Sequence, residues 1–166
     1  MATPPPRGVQ PLDHTADVGL EVEASSLEEL LVRAGEGALW LALGSTGAES
    51  GAGERPHGDR FGQEGHGVGE TRTLSLEADD REGLLRSWTR ELLYWAEVED
   101  FVADRVLSLE VGGEGGEGAD LLTVRARLQG GPSSSEPIRE IKGVTWHGLV
   151  VEERPDGWFA RVIFDV

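Results

Sequence analysis

Ionisable side chains lie close to both ends of this chain. Asp13, His14 and Asp17 come just before the first strand-like stretch, and Asp165 precedes Val166, where we expect the α-carboxylate. Loop residues at the mouth of a strand are a common place for functional sites. If the first and last strands are antiparallel neighbours, the beginning of one lies beside the end of the other. We then expect Asp17 to face Asp165.

Two facing carboxylates repel each other, at a cost on the order of a few kcal/mol near a protein surface. A proton on one of them, a basic side chain such as Lys142 or Arg161, or a divalent metal ion would offset this cost. We favour the metal, because Asp17, Asp165 and Val166 offer hard oxygen ligands and the chain has no cysteine. A simpler interpretation stays open, in which Asp17 forms a turn and Asp165 is a solvated end residue.

Lys142 is the only lysine of the chain, and it lies in the apolar-rich segment 138–152, which is predicted to be a strand. Its ammonium group would either guard an edge strand against aggregation or contact an anionic group of a partner. His147 is interpreted as a hydrogen-bonded sheet residue, although His14 and His147 could both approach an active centre. All five tryptophans are predicted to pack in the core. They are Trp40, Trp88, Trp95, Trp146 and Trp158.

The hydrophobic pattern divides the chain into strands and two helices. Alternation with period two predicts strands over residues 17–23, 71–77, 106–111, 122–128, 138–152 and 158–165. A capping box of Ser25 and Ser26 with Glu28 and Glu29 predicts the start of the first helix, and Asp79 predicts the start of the second. Strands joined by short turns pair antiparallel. We therefore expect an α+β fold, a single domain whose antiparallel sheet layers are covered by two amphipathic helices.

Composition separates the predicted domain from two other segments. Residues 1–11 contain four prolines and little apolar material, so we predict a flexible lead-in before a domain spanning 12–166. Residues 44–70 include nine glycines among 27 residues and almost no apolar side chains. Such a segment cannot pack a core, and we predict that it is a flexible insertion.

The charge balance limits the classes of partner. Asp and Glu number 31 against 15 Lys and Arg, a formal net charge of −16. This disfavours free-standing contact with a phosphate backbone, so we expect no direct nucleic-acid binding and favour a basic protein or a cation. The lack of cysteine excludes disulfides and thiolate metal sites. Without an apolar stretch of eighteen residues or a secretory signal, we predict a cytoplasmic protein that does not contact membranes.

Five short segments, in this order, carry a family resemblance. They read DHTADV at 13–18, LEE at 27–29, LLY at 92–94, IKGVTWHGL at 141–149 and ARVIFDV at 160–166. In these segments the chain resembles the archease family along nearly its whole length. It departs from the family in the lead-in, in the glycine-rich insertion and at Gly143, where the family usually has alanine.

The resemblance implies a function and a set of site residues. Archeases are accessory factors that activate the RtcB-type RNA ligase, a GTP- and manganese-dependent enzyme acting in tRNA splicing and RNA repair. This ligase joins RNA ends that bear a 3′-phosphate or a 2′,3′-cyclic phosphate, and archease promotes its guanylylation and multiple turnover without being an enzyme itself. The resemblance implies a divalent metal ion, calcium by family with magnesium or manganese as alternatives, held by Asp17, Asp165 and Val166. Lys142 would act in ligase activation, with His14 and Asp13 beside it.

Two other functions remain as alternatives. A metal-dependent phosphohydrolase would hold its ion with Asp13, Asp17 and Asp165 and use His14 or His147 as general base. A general protein chaperone would use the acidic exterior and the insertion to shield its clients. No GxGxxG, P-loop, GxSxG or HExxH motif is present.

Overall fold

A computed structural model describes residues 4–13, 17–44, 69–113, 115, 120–133 and 136–166. Seven strands and two helices follow one another along this part of the chain. They are β1 (Val9–Asp13), β2 (Asp17–Ala24), α1 (Leu27–Leu43), β3 (Glu70–Ala78), α2 (Arg81–Val98), β4 (Val102–Gly112), β5 (Leu122–Gly131), β6 (Gly143–Arg154) and β7 (Gly157–Asp165). None of the helices in the described ranges is long and apolar enough to span a membrane.

The strands form two sheets, and every pair within them is antiparallel. The four-stranded sheet has the order β1-β2-β7-β6, and the three-stranded sheet has the order β3-β5-β4. Each helix contacts strands of both sheets, so the helices join the two sheets around one hydrophobic core. The predicted α+β fold is confirmed.

Helix α1 is buried on almost every side because it packs against α2 and against both sheets. Small residues permit this packing. A Cβ atom at Gly35 would lie 2.6 Å from Cδ1 of Leu92 and 2.8 Å from Nε1 of Trp88, both on α2. Leu84, Leu85 and Trp88 are fully buried on the facing side of α2, as the helical periodicity predicts.

The two helix starts follow the predicted chemistry with two differences in detail. The Ser26 hydroxyl accepts a hydrogen bond from the Glu29 amide at 3.1 Å, which confirms the cap of α1. The Glu29 carboxylate accepts hydrogen bonds from the amide and the hydroxyl of Ser25, and not from the amide of Ser26. Asp80, not Asp79, caps α2, because its Oδ1 accepts from the Gly83 amide at 2.7 Å. A carboxylate three residues before the bonded amide has the reach for this cap.

Three predicted boundaries are wrong. The domain begins earlier than residue 12, because β1 starts at Val9, which is 5% exposed. Pro11 fits this strand because β1 is an edge strand, where a missing amide is tolerated. Gly44 ends α1 in a left-handed conformation and Glu70 starts β3, so neither belongs to the insertion. Residues 45–68 of the predicted insertion lie outside the described residues.

Two further predictions fail in the segment 138–152. Its first five residues precede β6, and Ile138 is 67% exposed. Trp146 does not pack in the core, since it is 58% exposed. Trp88 and Trp95 are buried as predicted, while Trp40 and Trp158 are partly buried against the core.

Candidate functional site

The pairing of β2 with β7 brings the two ends of the described domain together. Asp17 at the start of β2 lies directly opposite Asp165 at the end of β7, which confirms the predicted juxtaposition. The next pair along these strands, Val18 with Phe164, is buried in the core. A slip of one residue would bury the acids and expose this apolar pair, so the hydrophobic pattern fixes the register.

A third segment meets this pair from the other side of β7. Gly143, the first residue of β6, lies opposite Asp165, and the amide of Lys142 donates a 2.8 Å hydrogen bond to the carbonyl oxygen of Asp165. Lys142 is exposed and lies just before β6 rather than inside a strand, which corrects the predicted position. We call Asp17, Lys142, Asp165 and Val166 the acidic tip.

In the described part of the chain, the two carboxylates of the acidic tip have no basic partner. Asp165 is exposed and Asp17 is half-buried. Arg161, one candidate for neutralising them, instead donates to the Glu21 carboxylate at 2.7 and 3.0 Å. Over the described ranges, no lysine or arginine side chain, Lys142 included, forms an ion pair with Asp17 or Asp165.

The donor atoms at the acidic tip fit a hard divalent cation. Directly opposed residues of an antiparallel pair have Cβ atoms about 4.5–5.5 Å apart, so their carboxylates can share one ion. Calcium, magnesium and manganese all prefer such oxygen ligands. Among the residues that the structure describes, no group of three or more His, Asp or Glu side chains is arranged to hold a metal. Further ligands would therefore include main-chain oxygen, for which Val166 is adjacent.

The structure gives less for the other predicted site residues. The backbone of Asp13 pairs with Val18 at the same end of the sheet, but its side chain is not described. His14 lies outside the described residues. His147 is exposed on β6, and its amide donates to the Thr145 hydroxyl at 3.0 Å. It follows Thr145 in a part of β6 where regular pairing with β7 is interrupted.

This interruption is a large bulge that sequence reasoning missed. Thr145 pairs with Ile163 and Val150 pairs with Arg161, so residues 146–149 of β6 stand against a single residue of β7. Gly148 has a φ of +69°, which glycine adopts without strain. The bulge turns Trp146 outward, where the Arg86 guanidinium lies 4.9 Å from its ring centroid. An isolated glycine within a strand pattern was the available signal for a bulge.

Glu97 of α2 lies close to residue Ile141, just before the start of β6. Its Oε1 accepts a hydrogen bond from the Ile141 amide at 3.4 Å. Burial and the nearby charge of Glu140 raise the pKa of Glu97, and the bond from Ile141 opposes this only in part. Glu97 and Glu140 line a cavity of about 630 Å³ together with Asp100 and Glu136.

The fold and the acidic tip together define a class of small α+β protein, in which two helices join two antiparallel sheets and acids meet at the strand ends of one sheet. A model of the Archease protein family (MTH1598/TM1083) matches residues 59–166. The protein archease of Methanosarcina acetivorans is 32% identical over 156 residues, 93% of each chain. That of Archaeoglobus fulgidus is also 32% identical, over 93% of this chain and 96% of its own. This chain belongs to the archease family.

Two solved structures share the fold. Protein 1598 of Methanobacterium thermoautotrophicum has a TM-score of 0.62 at 23% identity, covering 96% of this chain and 99% of its own. An archease of Thermotoga maritima, described as a possible chaperone, has a TM-score of 0.55 at 19% identity over 95% and 96% of the two chains.

Proposed function

We propose that this protein is an accessory factor that activates an RtcB-type RNA ligase by inserting its acidic tip into the active-site cleft of the ligase. The observation that carries the proposal is the direct opposition of Asp17 and Asp165, with the main chain of Lys142 bonded to Asp165. Membership of the archease family supports it. The protein itself would not catalyse ligation.

The acidic tip would hold a divalent cation through Asp17, Asp165 and main-chain oxygen of Val166. Calcium fits best by family, and magnesium or manganese fit the same oxygen ligands. When bound, such a cation would bring positive charge and oxygen coordination to the metal-nucleotide centre of the ligase. The two aspartates would keep that charge at the projecting end of the sheet.

Activation requires that the protein bind the reactive state of the ligase more tightly than the unreactive one. The exposed carboxylate of Asp165 and the exposed Lys142 offer contacts that would exist only when the cleft is in its GTP-reactive arrangement. The net charge of −16 favours encounter with a basic, RNA-binding enzyme, most strongly at low salt. Stabilising the reactive state would promote guanylylation and allow repeated turnover.

A ligation time course with the ligase limiting tests this proposal. RNA ends bearing a 2′,3′-cyclic phosphate are joined with GTP and manganese, with and without this protein. We expect multiple turnover with the wild type and the unassisted yield with Asp17→Ala. The matched control is Glu23→Ala, which removes an exposed carboxylate from the same strand and should keep full stimulation.

Other outcomes of this experiment would contradict the proposal. If each ligase molecule still performs only one ligation in the presence of the wild-type protein, the proposed activation is wrong. Equal stimulation by Asp17→Ala and wild type would remove the acidic tip from the mechanism. Release of phosphate from RNA ends by the purified protein alone, lost in Asp165→Ala, would identify a phosphohydrolase. Suppression of client aggregation that survives both substitutions would identify a general chaperone.

A further inference from the structure

A row of aromatic and arginine side chains runs along α2 and onto β6, half-buried at Arg86 and exposed at its other members. Arg86, Arg90 and Tyr94 are spaced four residues apart on α2, so they lie on one face of the helix. Trp146 joins the row from the bulge of β6, against Arg86. Tyr94 is 47% exposed and Trp146 is 58% exposed. We call these four residues the aromatic-arginine stripe.

The protein holds one end of the stripe in a fixed geometry. Nε of Arg86 donates a 2.7 Å hydrogen bond to the carbonyl oxygen of Val144. The same guanidinium lies 4.9 Å from the Trp146 ring centroid, within the range of a cation–π contact. This contact and the bulge keep the large Trp146 ring at the surface, although the hydrophobic effect favours burying such a ring.

The charge of the stripe differs from that of the rest of the molecule. Five described arginines form ion pairs with carboxylates, namely Arg33, Arg72, Arg81, Arg154 and Arg161. Over the described ranges, Arg86 and Arg90 form no such pair. The same helix also carries three carboxylates, Glu82, Glu91 and Glu97, of which Glu82 and Glu97 accept hydrogen bonds from the Val151 and Ile141 amides. The stripe thus combines two arginines that form no ion pair in the described part of the chain with two exposed rings.

We propose that the aromatic-arginine stripe binds single-stranded RNA, with bases stacked on Trp146 and Tyr94 and phosphates contacting Arg86 and Arg90. Exposed aromatic rings beside positive charge form the usual platform for single-stranded nucleic acid. From Arg86 to Tyr94 the helix rises about 12 Å at 1.5 Å per residue, so the stripe is longer than a single nucleotide contact. The negative total charge weakens RNA binding overall, but it does not cancel the local charge of the stripe.

Charge complementarity favours RNA over a protein as the occupant. The acidic surface of the molecule suits a basic partner, whereas the positive stripe would repel one. RNA is the anion that a basic, RNA-binding ligase carries, so the stripe and the acidic tip would meet different parts of the same complex. This step rests on the proposed function, and the binding of RNA itself does not.

Fluorescence anisotropy of a labelled twelve-nucleotide oligouridylate tests the stripe directly, with the full chain titrated at low salt and no ligase present. We expect saturable binding that Trp146→Ala weakens about tenfold, the effect of losing one stacked base. Arg90→Gln should lower the slope of log affinity against log salt by about 0.7, the value for one phosphate contact. The matched control is Arg127→Gln on β5, an exposed arginine outside the stripe, which should change binding far less.

The result separates this proposal from the proposed function. Asp17→Ala should keep RNA binding and lose ligase stimulation, so either idea can fail alone. Absence of saturable binding, or equal weakening by Arg127→Gln and Arg90→Gln, would overturn the stripe as an RNA site. Loss of ligase stimulation in Trp146→Ala with unchanged RNA binding would also overturn it and assign the stripe to a protein contact. Thermal unfolding of each variant checks that the fold is retained.

Discussion

Two cross-strand pairs on the same two strands differ in their charges. Glu21 lies opposite Arg161 and forms an ion pair at 2.7 Å, whereas Asp17 lies opposite Asp165 with no basic partner in the described part of the chain. Opposite charges in such positions stabilise a sheet, and like charges destabilise it. The first pair is explained by the stability of the sheet. The second is not, which is why we look for its cause in something that it binds.

The largest effect on activation is expected when the Asp17–Asp165 pair is given opposite charges like those of the Glu21–Arg161 pair. Asp17→Arg should stabilise the fold by about 1 kcal/mol, because an attraction replaces a repulsion. It should also reduce ligase stimulation to the unassisted level, because the proposed cation site would be lost. Urea denaturation and the ligation time course measure the two effects, with Glu23→Arg on the same strand as control for net charge. Greater stability together with full stimulation would show that the like-charge pair has no role in activation.

Adding a divalent cation should distinguish the two pairs. A ligand that binds only the folded state stabilises it by RT ln(1 + [L]/Kd), about 2.7 kcal/mol at one hundred times Kd. We expect calcium to raise the Tm of the wild type and to leave Asp165→Asn nearly unchanged. Asp156→Asn, an exposed carboxylate in the turn before β7, should respond like the wild type. Equal responses of Asp165→Asn and the wild type would argue against a metal at the acidic tip.

Breaking the complementary pair should have a smaller effect. Arg161→Gln leaves Glu21 without its partner and should lower the free energy of unfolding by about 0.5 kcal/mol, because the pair is partly exposed to solvent. The calcium-induced rise in Tm should be kept. Denaturation with and without calcium measures both quantities. A lost calcium response would mean that the two pairs are coupled along the sheet.

The smallest effect on stability is expected at two glutamates outside these pairs, Glu97 and Glu29, and it is tested by the pH dependence of Tm. Because the pKa of Glu97 is raised, its ionised form destabilises the fold above that pKa, and the effect disappears as the pH falls below the unfolded value. Glu97→Gln should therefore raise Tm slightly at pH 7.5 and have little effect near pH 4.

Glu29 is the control of opposite sign for this pH test. Burial alone would raise the pKa of Glu29, but hydrogen bonds from Ser25 and the charge of Arg33 outweigh it and lower that pKa. Its carboxylate thus stabilises the fold at neutral pH, and the contribution is lost as the pH falls through the folded pKa. Glu29→Gln should lower Tm at pH 7.5 and converge with the wild type in acid. Shifts of the same sign for both variants would contradict this account.

Once β2 and β7 are taken as neighbours, the sequence predicts the opposition of Asp17 and Asp165, because the facing of residues in paired strands depends on periodicity. Alternation of apolar residues sets the direction in which the Asp17 side chain points, and burial of Val18 and Phe164 sets the register. That β2 and β7 are neighbours at all is a condition that the sequence did not supply and the structure does. The occupant of the tip and its ligase partner are not encoded in periodicity, and these stay predictions.

The bulge and the aromatic-arginine stripe could not be predicted in the same way. A regular strand over 138–152 would have put Trp146 on the core side with Val144, but the bulge places it at the surface. The outward position of Trp146 involves a contact of β6 with Arg86 on α2, a tertiary relation that a local pattern does not contain. The start of β1 at Val9 was also missed, because prolines normally argue against a strand. Here the strand is an edge strand that forms by pairing with β2, which is again a tertiary relation.

The order β1-β2-β7-β6 places the last strand of the chain between two earlier ones. During synthesis on the ribosome, β2 and β6 cannot join in one sheet until β7 has been made, because β7 lies between them. Asp17 and Asp165 are consequently brought together only once β7 has been made and inserted. A nascent or truncated chain would lack the acidic tip, so competence to bind a cation there reports that folding is complete.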